Sequence, residues 1–482
     1  MGPNSRLKLG ALSATLAILL VSVPIHDDIE YALKSETKSA ETSSGNSLID
    51  APTWRINDRW VYSGELDVYD FIVDSGVSTN VNTLTGTLDV QVESINLVDV
   101  GGIQTLAYTV AGTGDYRADN VQLEGQNGDV VVEMDTTSII RISDMAVISQ
   151  TATIDIEFDP AFGWICFFIS CDIASITASN EYWPPLERHD FPLSVGDTWV
   201  NNYTVNTTYS GSSSYVTIPQ STSDQVETTS TVVQAGYPGV SQSGCSVSYN
   251  VTATDVNGSL VGYGWHCDSM KNDVVTLNEV TLGLMARHEI DYSTLSPRPY
   301  FIDVEPMYPL APFDFTSPIW VNVSNANGAP IADQEIEFRY DPTGEVQTLT
   351  TGSNGSAFTT LNYGLRGDES SVDGEHGSHG VVARILNTDH IGISTITLDP
   401  DIYEVDLKIE SSSISIQRNR SGEIQSITAP FNAVPGDLMT MTVPIINEGL
   451  RTSPGGTLTS QASHGAIGVL SFPPLSSMES CL

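Results

Sequence analysis

The chain has 482 residues, which is too long for a single hydrophobic core and favours about three domains. Acidic residues far outnumber basic ones, with 59 Asp and Glu against 19 Lys and Arg, and the formal net charge is −40. A charge of this sign repels nucleic-acid phosphates and anionic lipid, so the composition excludes nucleic acid as a partner and leaves membrane contact only to an apolar segment.

Residues 1–26 have the pattern of a targeting segment. Arg6 and Lys8 precede the uncharged run Leu9–Ile25, and acidic residues follow it. The pattern predicts export to the cell surface or beyond, with the two basic residues left in the cytoplasm. The run is long for a signal peptide and short for a membrane span, so a cleaved signal peptide and an uncleaved anchor both stay open. Residues 27–52, which lack hydrophobic periodicity, predict a flexible linker.

From residue 53 to 296 the alternation of apolar and polar residues predicts strands throughout, and the fold class is all-β. Two segments in this range match, because Asn57-Asp58-Arg59-Trp60 and Gly196-Asp197-Thr198-Trp199 each place a turn before a Trp. We interpret the match as a duplication of one antiparallel β unit, with halves of about 53–185 and 186–296. Each half then begins with a buried Trp.

The same turn-then-Trp opening, followed later by Ser143-Asp144-Met145-Ala146, resembles repeats in the curved half-barrel β domains of secreted prokaryotic lipoproteins and carriers. The resemblance implies a half-barrel-like sheet over residues 53–296 and transfers no site residue.

Residues 297–400 follow a proline-rich hinge and predict a second β module. Ile319, Val321 and Val323 face one way, with Trp320 and Asn322 opposite. Ile336, Phe338 and Tyr340 alternate with Glu335, Glu337 and Arg339. The turns Asn327-Gly328-Ala329-Pro330 and Ser353-Asn354-Gly355-Ser356 resemble those of bacterial Ig-like (Big-type) repeats of surface proteins. This resemblance implies an Ig-like β sandwich that acts as a spacer or a binding arm.

Residues 401–482 carry three short motifs of a further β domain. Leu407, the Val434-Pro435-Gly436-Asp437 turn and Asn447-Glu448-Gly449 resemble the start of a CARDB domain, the adhesion-related Ig-like sandwich of prokaryotic surface proteins. After Thr459 the alternation ends, which predicts too few strands to close a sandwich. Either the domain is truncated, or a partner supplies the missing edge.

Four cysteines predict two disulfides, as suits an exported protein. In a hairpin that turns at Asn257-Gly258, Cys245 falls two places from the residue opposite Cys267, and a bulge would bring the two within bonding range. Cys166 and Cys171 then pair locally, which leaves Cys481 free.

Sequons predict N-linked glycans on an exported β domain, if the host glycosylates. They begin at Asn202, Asn206, Asn250, Asn257, Asn322, Asn354 and Asn419.

An acidic loop offers weak candidates for a structural divalent cation. His376 and His379 lie there beside Asp373. A solvated loop without metal is the favoured interpretation, because no EF-hand or His-Glu-x-x-His spacing fixes a geometry. Otherwise the sequence predicts no cofactor.

Catalytic signatures are missing: the sequence has no Gly-x-Ser-x-Gly elbow, no Walker loop, no dinucleotide fingerprint and no Cys-x-x-Cys pair. We therefore expect a non-enzymatic protein of the cell surface, whose Ig-like arms contact envelope proteins or glycans. The alternative is an extracytoplasmic carrier that holds an apolar ligand in the N-terminal β domain. An apolar concavity between the Trp60 and Trp199 strands would favour the carrier, and a filled core would favour the surface protein.

Overall fold

The computed structural model describes residues 49–482 apart from 70, 72–77, 162–170, 214–217, 219–220, 237–243, 246, 282–283, 313–314, 365–376, 399–406, 410–413, 428–433, 448–452, 454, 462–466, 476–479 and 482. The chain divides into two compact units. The larger contains Met1–Met307, Thr316–Gly374 and Ser378–Ile396, and the smaller contains Tyr308–Phe315, Glu375–Gly377 and Thr397–Leu482.

Twelve strands of the larger unit form a closed antiparallel barrel. Around the barrel each strand pairs with its neighbours in the sequence, so the topology is a simple meander. The strands are β1 (Arg59–Asp67), β2 (Thr83–Val100), β3 (Ile103–Leu123), β4 (Gln126–Arg141), β5 (Val147–Pro160), β6 (Asp172–Leu186), β7 (Thr198–Ser213), β8 (Ser221–Gly236), β9 (Ser248–Asp255), β10 (Leu260–Cys267), β11 (Asn272–Thr281) and β12 (Leu284–Thr294).

The all-β prediction is confirmed, but the sheet is not the half-barrel that the sequence suggested. Strand β1 pairs with β2 on one side and with β12 on the other, so that Arg59 lies between Gln91 and Thr294. Closure removes both edge strands and gives their backbone N–H and C=O groups partners, whereas an open half-barrel would expose them.

The turns before the two Trp strands have the same hydrogen bonds. In the first, Asp58 Oδ2 accepts from the N–H of Arg55 at 2.8 Å, and Asp58 O accepts from the N–H of Val92 at 2.9 Å. In the second, Asp197 Oδ2 accepts from Ser194 at 2.7 Å, and Asp197 O accepts from Val232 at 2.9 Å. The residue before each Asp has a left-handed backbone, with φ of 71° at Asn57 and 101° at Gly196, which is why Asn and Gly stand there.

Buried apolar side chains of the barrel pack together in three clusters. One cluster takes buried residues from β1 through β6 and from β12, including Leu66, Tyr116, Phe158, Ile176 and Leu284. A second cluster surrounds Trp60, which is fully buried, and a third contains Trp199, which is 9% exposed. Both tryptophans therefore lie in the core, as the turn-then-Trp pattern predicts.

Residues 49–52, which the sequence assigns to a flexible linker, are packed against the barrel. Ile49 forms an antiparallel bridge with Leu193, and the Asp50 carboxylate accepts from the backbone N–H of Thr395 at 3.1 Å. Ile49 and Ala51 are buried because they join the Trp199 cluster. This part of the linker prediction is wrong, since the sparse apolar residues there find partners that are distant in sequence.

After the barrel, eight strands form two further sheets. They are β13 (Tyr300–Pro306), β14 (Leu310–Ala311), β15 (Phe315–Asn325), β16 (Glu335–Tyr340), β17 (Glu345–Thr350), β18 (Ser356–Tyr363), β19 (Gly377–Ile385) and β20 (Ile391–Leu398). In the larger unit one sheet has the order β13-β15-β18 and the other the order β20-β19-β16-β17. In the smaller unit β14 pairs in parallel with Thr397 and Leu398 at the end of β20.

The inward faces of these sheets follow the predicted alternation. Val321 on β15 and Phe338 and Tyr340 on β16 are fully buried, and Tyr340 contacts Tyr363 on β18 at a ring-centroid distance of 5.7 Å. The other face of β16 departs from the pattern, because Glu337 and Arg339 are also buried.

That second face of β16 is buried because it packs on the barrel. The Arg339 guanidinium donates to the backbone carbonyl of Gln104 on β3 at 3.1 Å and pairs with Glu337 at 2.7 Å. Asp341, which follows β16, accepts a hydrogen bond from the Thr105 hydroxyl. On β19 the backbone at Gly380 lies so close to Ser143 that a Cβ there would be 1.8 Å from the Ser143 carbonyl oxygen.

The smaller unit consists of short strands in three small sheets. Its strands are β21 (Leu407–Lys408), β22 (Ser415–Arg420), β23 (Glu423–Ile427), β24 (Leu438–Thr442), β25 (Ile445–Asn447), β26 (Gly456–Gln461), β27 (Ile467–Phe472) and β28 (Ser480–Cys481). The Val434–Asp437 turn has the same carboxylate capping as the barrel turns, with Asp437 Oδ2 accepting from Val434 at 3.1 Å. Strand β27 pairs with β26, so the prediction that regular strands end after Thr459 is wrong.

Candidate functional site

Three side chains that could hold a metal ion meet at one end of strands β10 and β11. His189 belongs to the segment between β6 and β7, His266 lies near the end of β10, and Asp273 lies near the start of β11. One possible ligand atom from each lies within 4.8 Å of the other two. We call these residues the His-His-Asp cluster.

The carboxylate of Asp273 is the centre of the cluster. Its Oδ1 lies 3.2 Å from Nδ1 of His266 and 3.3 Å from Nε2 of His189. His266 contacts it with hydrogen-bond geometry, whereas His189 Nε2 does not. All three side chains are largely buried, with exposed fractions of 13% for His189, 4% for His266 and 16% for Asp273.

The register of the β10–β11 ladder places His266 directly opposite Asp273. The pairing shifts between Gly264 and His266, and this irregularity makes room for the carboxylate. A Cβ at position 264 would lie 2.5 Å from Asp273 Oδ2. Asp273 can therefore take its observed position only because residue 264 has no side chain.

Aromatic donors near the start of the barrel fix the backbone beside Asp273. The indole N–H of Trp60 donates to the carbonyl of Met270 at 2.7 Å, and that of Trp54 donates to the carbonyl of Lys271 at 2.5 Å. The Tyr62 hydroxyl donates to the carbonyl of Asp273 itself at 3.0 Å. The predicted core Trp60 therefore also positions the turn that leads into the cluster.

Phe191 packs against both imidazoles, which also contact each other at a centroid distance of 5.2 Å. Its ring stacks on His189 at a centroid distance of 5.6 Å and meets His266 edge-on at 5.2 Å. Phe191 is 2% exposed and belongs to the Trp199 cluster. The apolar ring therefore covers one side of the site.

Burial and the neighbouring charged groups shift the pKa values of His266 and Asp273 in opposite directions. Burial lowers the pKa of His266, and the neighbouring Asp273 counteracts this only in part, so His266 favours its neutral form. Burial alone would raise the pKa of Asp273, but the two imidazoles together outweigh it and hold that pKa well below its usual range. The site therefore combines a permanent carboxylate with a neutral imidazole, and these are the forms that bind metal ions.

The sequence candidates for a cation lie elsewhere. His379 is buried in β19, where its ring meets Tyr340 at 6.3 Å and burial lowers its pKa to about 4. The prediction that it belongs to a solvated loop is wrong, because β19 begins at Gly377. His376 and Asp373 lie outside the described residues.

Cys245 and Cys267 form a disulfide with a Cα–Cα distance of 6.1 Å, which is the pairing expected from the sequence. The β10 strand has the expected irregularity near Leu260, but it shifts the register away from Cys245. The bond forms because Cys245 precedes β9 and is not held in the ladder. Cys171 is also disulfide-bonded, whereas its expected partner Cys166 and the side chain of Cys481 lie outside the described residues.

The sequons differ in exposure. Asn206, Asn257 and Asn354 are exposed, and the remaining sites except one are partly exposed: Asn202, Asn322 and Asn419. Asn250 is 6% exposed on β9, which leaves no room for a glycan in the folded chain. The glycosylation prediction at Asn250 therefore does not fit the structure.

An open groove with a mostly apolar lining lies on the larger unit. It has a volume of about 790 Å³ and is lined by Arg55, Asn57, Pro297, Arg298, Ala326 and Asp389, among others. An Arg55–Asp389 ion pair with an N–O distance of 2.8 Å occupies one wall.

Comparisons with known proteins give little further information. No protein family matches the sequence, and no curated protein resembles it. Among solved structures, Escherichia coli alpha-2-macroglobulin activated by porcine elastase aligns with 91% of this chain at 8% identity, and the alignment spans 40% of that chain. Its TM-score of 0.17 implies neither a shared fold nor a shared function.

We find no helix with the length and hydropathy of a transmembrane segment in the part of the chain that the structure describes. The hydrophobic run Leu9–Ile25 lies outside that part.

Proposed function

We propose that this protein is an exported, non-enzymatic protein of the cell surface, whose Ig-like modules contact envelope proteins or glycans. The basic residues and apolar run at the N-terminus support export, and the Cys245–Cys267 disulfide suits an oxidising compartment. The net charge of −40 supports a soluble, strongly hydrated outer surface.

The packed interior of the barrel is the observation that carries this proposal. Side chains from seven strands meet in one apolar cluster, and Tyr116 and Leu84 within it are fully buried. A carrier needs an unfilled apolar space of several hundred Å³, typically about 300 to 1,000. This packed cluster therefore supports contacts on outer surfaces over the alternative of a carrier for an apolar ligand.

We further infer that the barrel arose by duplication. Its twelve strands divide into β1–β6 and β7–β12 at the boundary that the sequence repeat suggests, and each half opens with the same capped turn. Within each half the fourth strand leads to a residue with positive φ, Met145 after β4 and Lys271 after β10. We propose that the sheets after residue 300 are an Ig-like sandwich and that the smaller unit is a CARDB-like domain.

Protease treatment of intact cells tests the export part of the proposal. An epitope inserted at the exposed turn Val256–Gly258 should be lost when protease is added outside the cells. An epitope on a cytoplasmic protein of the same cells serves as the control and should stay protected. Protection of the epitope at Val256–Gly258 would contradict export.

Native mass spectrometry of the purified chain separates the surface protein from the carrier. The expected mass is that of the polypeptide with its disulfides and any glycans. A co-purified apolar molecule at one copy per chain, lost on denaturation, would instead support the carrier.

A further inference from the structure

We propose that the His-His-Asp cluster binds one divalent transition-metal ion, with zinc as the best match. This inference depends on His189, His266 and Asp273 alone and is independent of the proposed surface function.

The spacing of the ligand atoms supports a tetrahedral ion. Zinc bonds of about 2.0–2.1 Å place two tetrahedral ligand atoms about 3.3 Å apart. Asp273 Oδ1 lies 3.3 Å from His189 Nε2 and 3.2 Å from His266 Nδ1, so two sides of the ligand triangle already have this length. The third side is at most 4.8 Å. His189 belongs to a segment between strands, and a small rotation of its ring can shorten that side.

An ion also explains why His189 Nε2 lies 3.3 Å from Asp273 Oδ1 without hydrogen-bond geometry. His189 Nε2 is buried and faces the carboxylate, but it makes no hydrogen bond within the described structure. A buried nitrogen without a hydrogen bond destabilises the fold, because its lost hydration is not replaced. Coordination would use the nitrogen lone pair and remove that cost, whereas a simple ion pair between His189 and Asp273 would align an N–H with the oxygen.

The chemistry of the ligands selects the class of metal. Two imidazoles and one carboxylate suit zinc and related divalent transition metals, whereas calcium and magnesium prefer oxygen ligands throughout. Three protein ligands leave a fourth position, which a water molecule would take. The acidic chain as a whole attracts cations to such a site.

The ion would connect three parts of the barrel. It would fix the segment with His189 to the ends of β10 and β11, which His189 and Phe191 already contact through His266 and Asp273. The hydrogen bonds from Trp60 and Tyr62 hold the backbone at Met270 and Asp273 and would orient the carboxylate. We therefore assign the ion a structural role at this junction.

Zinc titration of the full-length chain, without a histidine tag and after treatment with a chelator, tests the proposal. We expect one zinc ion per chain by elemental analysis and by competition with a chromophoric chelator. At zinc concentrations about 100-fold above Kd, the melting temperature should rise by about 3 to 4 °C.

Matched variants locate the ion. Asp273→Asn and His189→Asn should abolish stoichiometric binding and the thermal shift. Gly264→Ala, which pushes on the carboxylate without removing a ligand, should weaken binding by about 10- to 100-fold. His390→Asn, on the loop before β20, is the control and should bind zinc as the wild type does.

Absence of stoichiometric zinc binding by the wild-type chain would overturn the proposal, as would unchanged binding by both Asp273→Asn and His189→Asn. If circular dichroism shows that Asp273→Asn does not fold, His189→Asn decides, because His189 lies in a segment between strands and not in the β10–β11 ladder. Binding lost in His390→Asn as well would place the ion elsewhere.

Discussion

Trp60 and Trp199 show how one residue type can serve two parts of the barrel. Both indoles are buried, and each N–H donates to a backbone carbonyl, that of Met270 for Trp60 and that of Glu187 for Trp199. The surroundings differ, since Trp60 lies among Tyr108 and Trp265 while Trp199 lies among Val232 and Tyr249. The similar burial reflects the shared turn, and the different partners reflect the strands that each Trp faces.

We predict that Trp60→Ala and Trp199→Ala destabilise the protein. Truncation of a core Trp costs about 3 to 5 kcal/mol, and Trp60 also loses a buried hydrogen bond. Thermal melts of the full chain measure the effect. Trp183→Ala is the control, because Trp183 is 42% exposed and should change the melting temperature far less. Equal melting of Trp60→Ala and wild type would contradict a core role.

His288 gives the barrel interior a titratable group. It is 6% exposed, its Nε2 lies 2.5 Å from the Tyr116 hydroxyl, and its ring lies 6.2 Å from that of Tyr62. Burial lowers the pKa of His288 to about 4 from the ordinary value of 6.5. The folded barrel therefore holds this imidazole neutral.

We predict that acid destabilises the barrel through His288. Between pH 6.5 and pH 4, His288 binds a proton in the unfolded chain but not in the folded chain. The free energy of unfolding therefore falls as the pH falls through this range. The loss amounts to roughly 3 kcal/mol near pH 4. His288→Asn should lose less stability than wild type between pH 7.5 and pH 4.5 in urea titrations. Parallel pH profiles of the two proteins would show that His288 is not responsible.

At the scale of strands and turns, features that depend on neighbouring residues can be predicted from the sequence. Pairings between strands that are distant in sequence cannot. The turn at Asn257-Gly258 and the buried faces of β15 and β16 follow from neighbouring residues, and these predictions agree with the structure. Closure of the barrel depends on β1 meeting β12, which no local pattern encodes. Burial of Glu337 and Arg339 depends in the same way on a surface of β3 that is distant in sequence.

The His-His-Asp cluster is hidden from sequence analysis for the same reason. Its members come from one connecting segment and two strands, so their spacing matches no metal motif. The one local signal is Gly264, because a glycine within a strand often marks a close approach by another group. Asp273 makes that approach here.

The contact between β19 and the turn after β4 permits a direct test at the element scale. We predict that Gly380→Ala destabilises the larger unit by about 2 to 3 kcal/mol, because its Cβ would overlap the Ser143 carbonyl oxygen and force the backbones apart. Gly236→Ala, at the end of β8, meets no atom within 4 Å and should change stability by less than about 0.5 kcal/mol. Chemical denaturation compares the two. Similar midpoints would mean that β19 does not need this close approach.

For the whole molecule, the barrel and the sheets that follow it cannot be treated as independent modules. Val382 on β19 and Ile391 on β20 belong to the same buried cluster as Trp60 and Ile142 of the barrel. The sequence suggests a boundary near residue 297, since prolines cluster there. The structure shows instead that the larger unit continues across those prolines and that its core includes residues from both sides. A fragment cut at residue 296 would expose this shared core.

We therefore predict that β1 and β19 unfold together in the full chain. Shared burial couples them, so Val382→Ala should lower the free energy of unfolding of both by about 2 kcal/mol. Hydrogen exchange followed by mass spectrometry can measure peptides from Arg59–Asp67 and Gly377–Ile385 in the same sample. Val346→Ala, at a position 45% exposed on β17, is the control and should leave both peptides as protected as in wild type. If Val382→Ala opened only the β19 peptide while β1 kept its protection, the sheets would be separate folding units, and the surface modules would be free to move independently of the barrel.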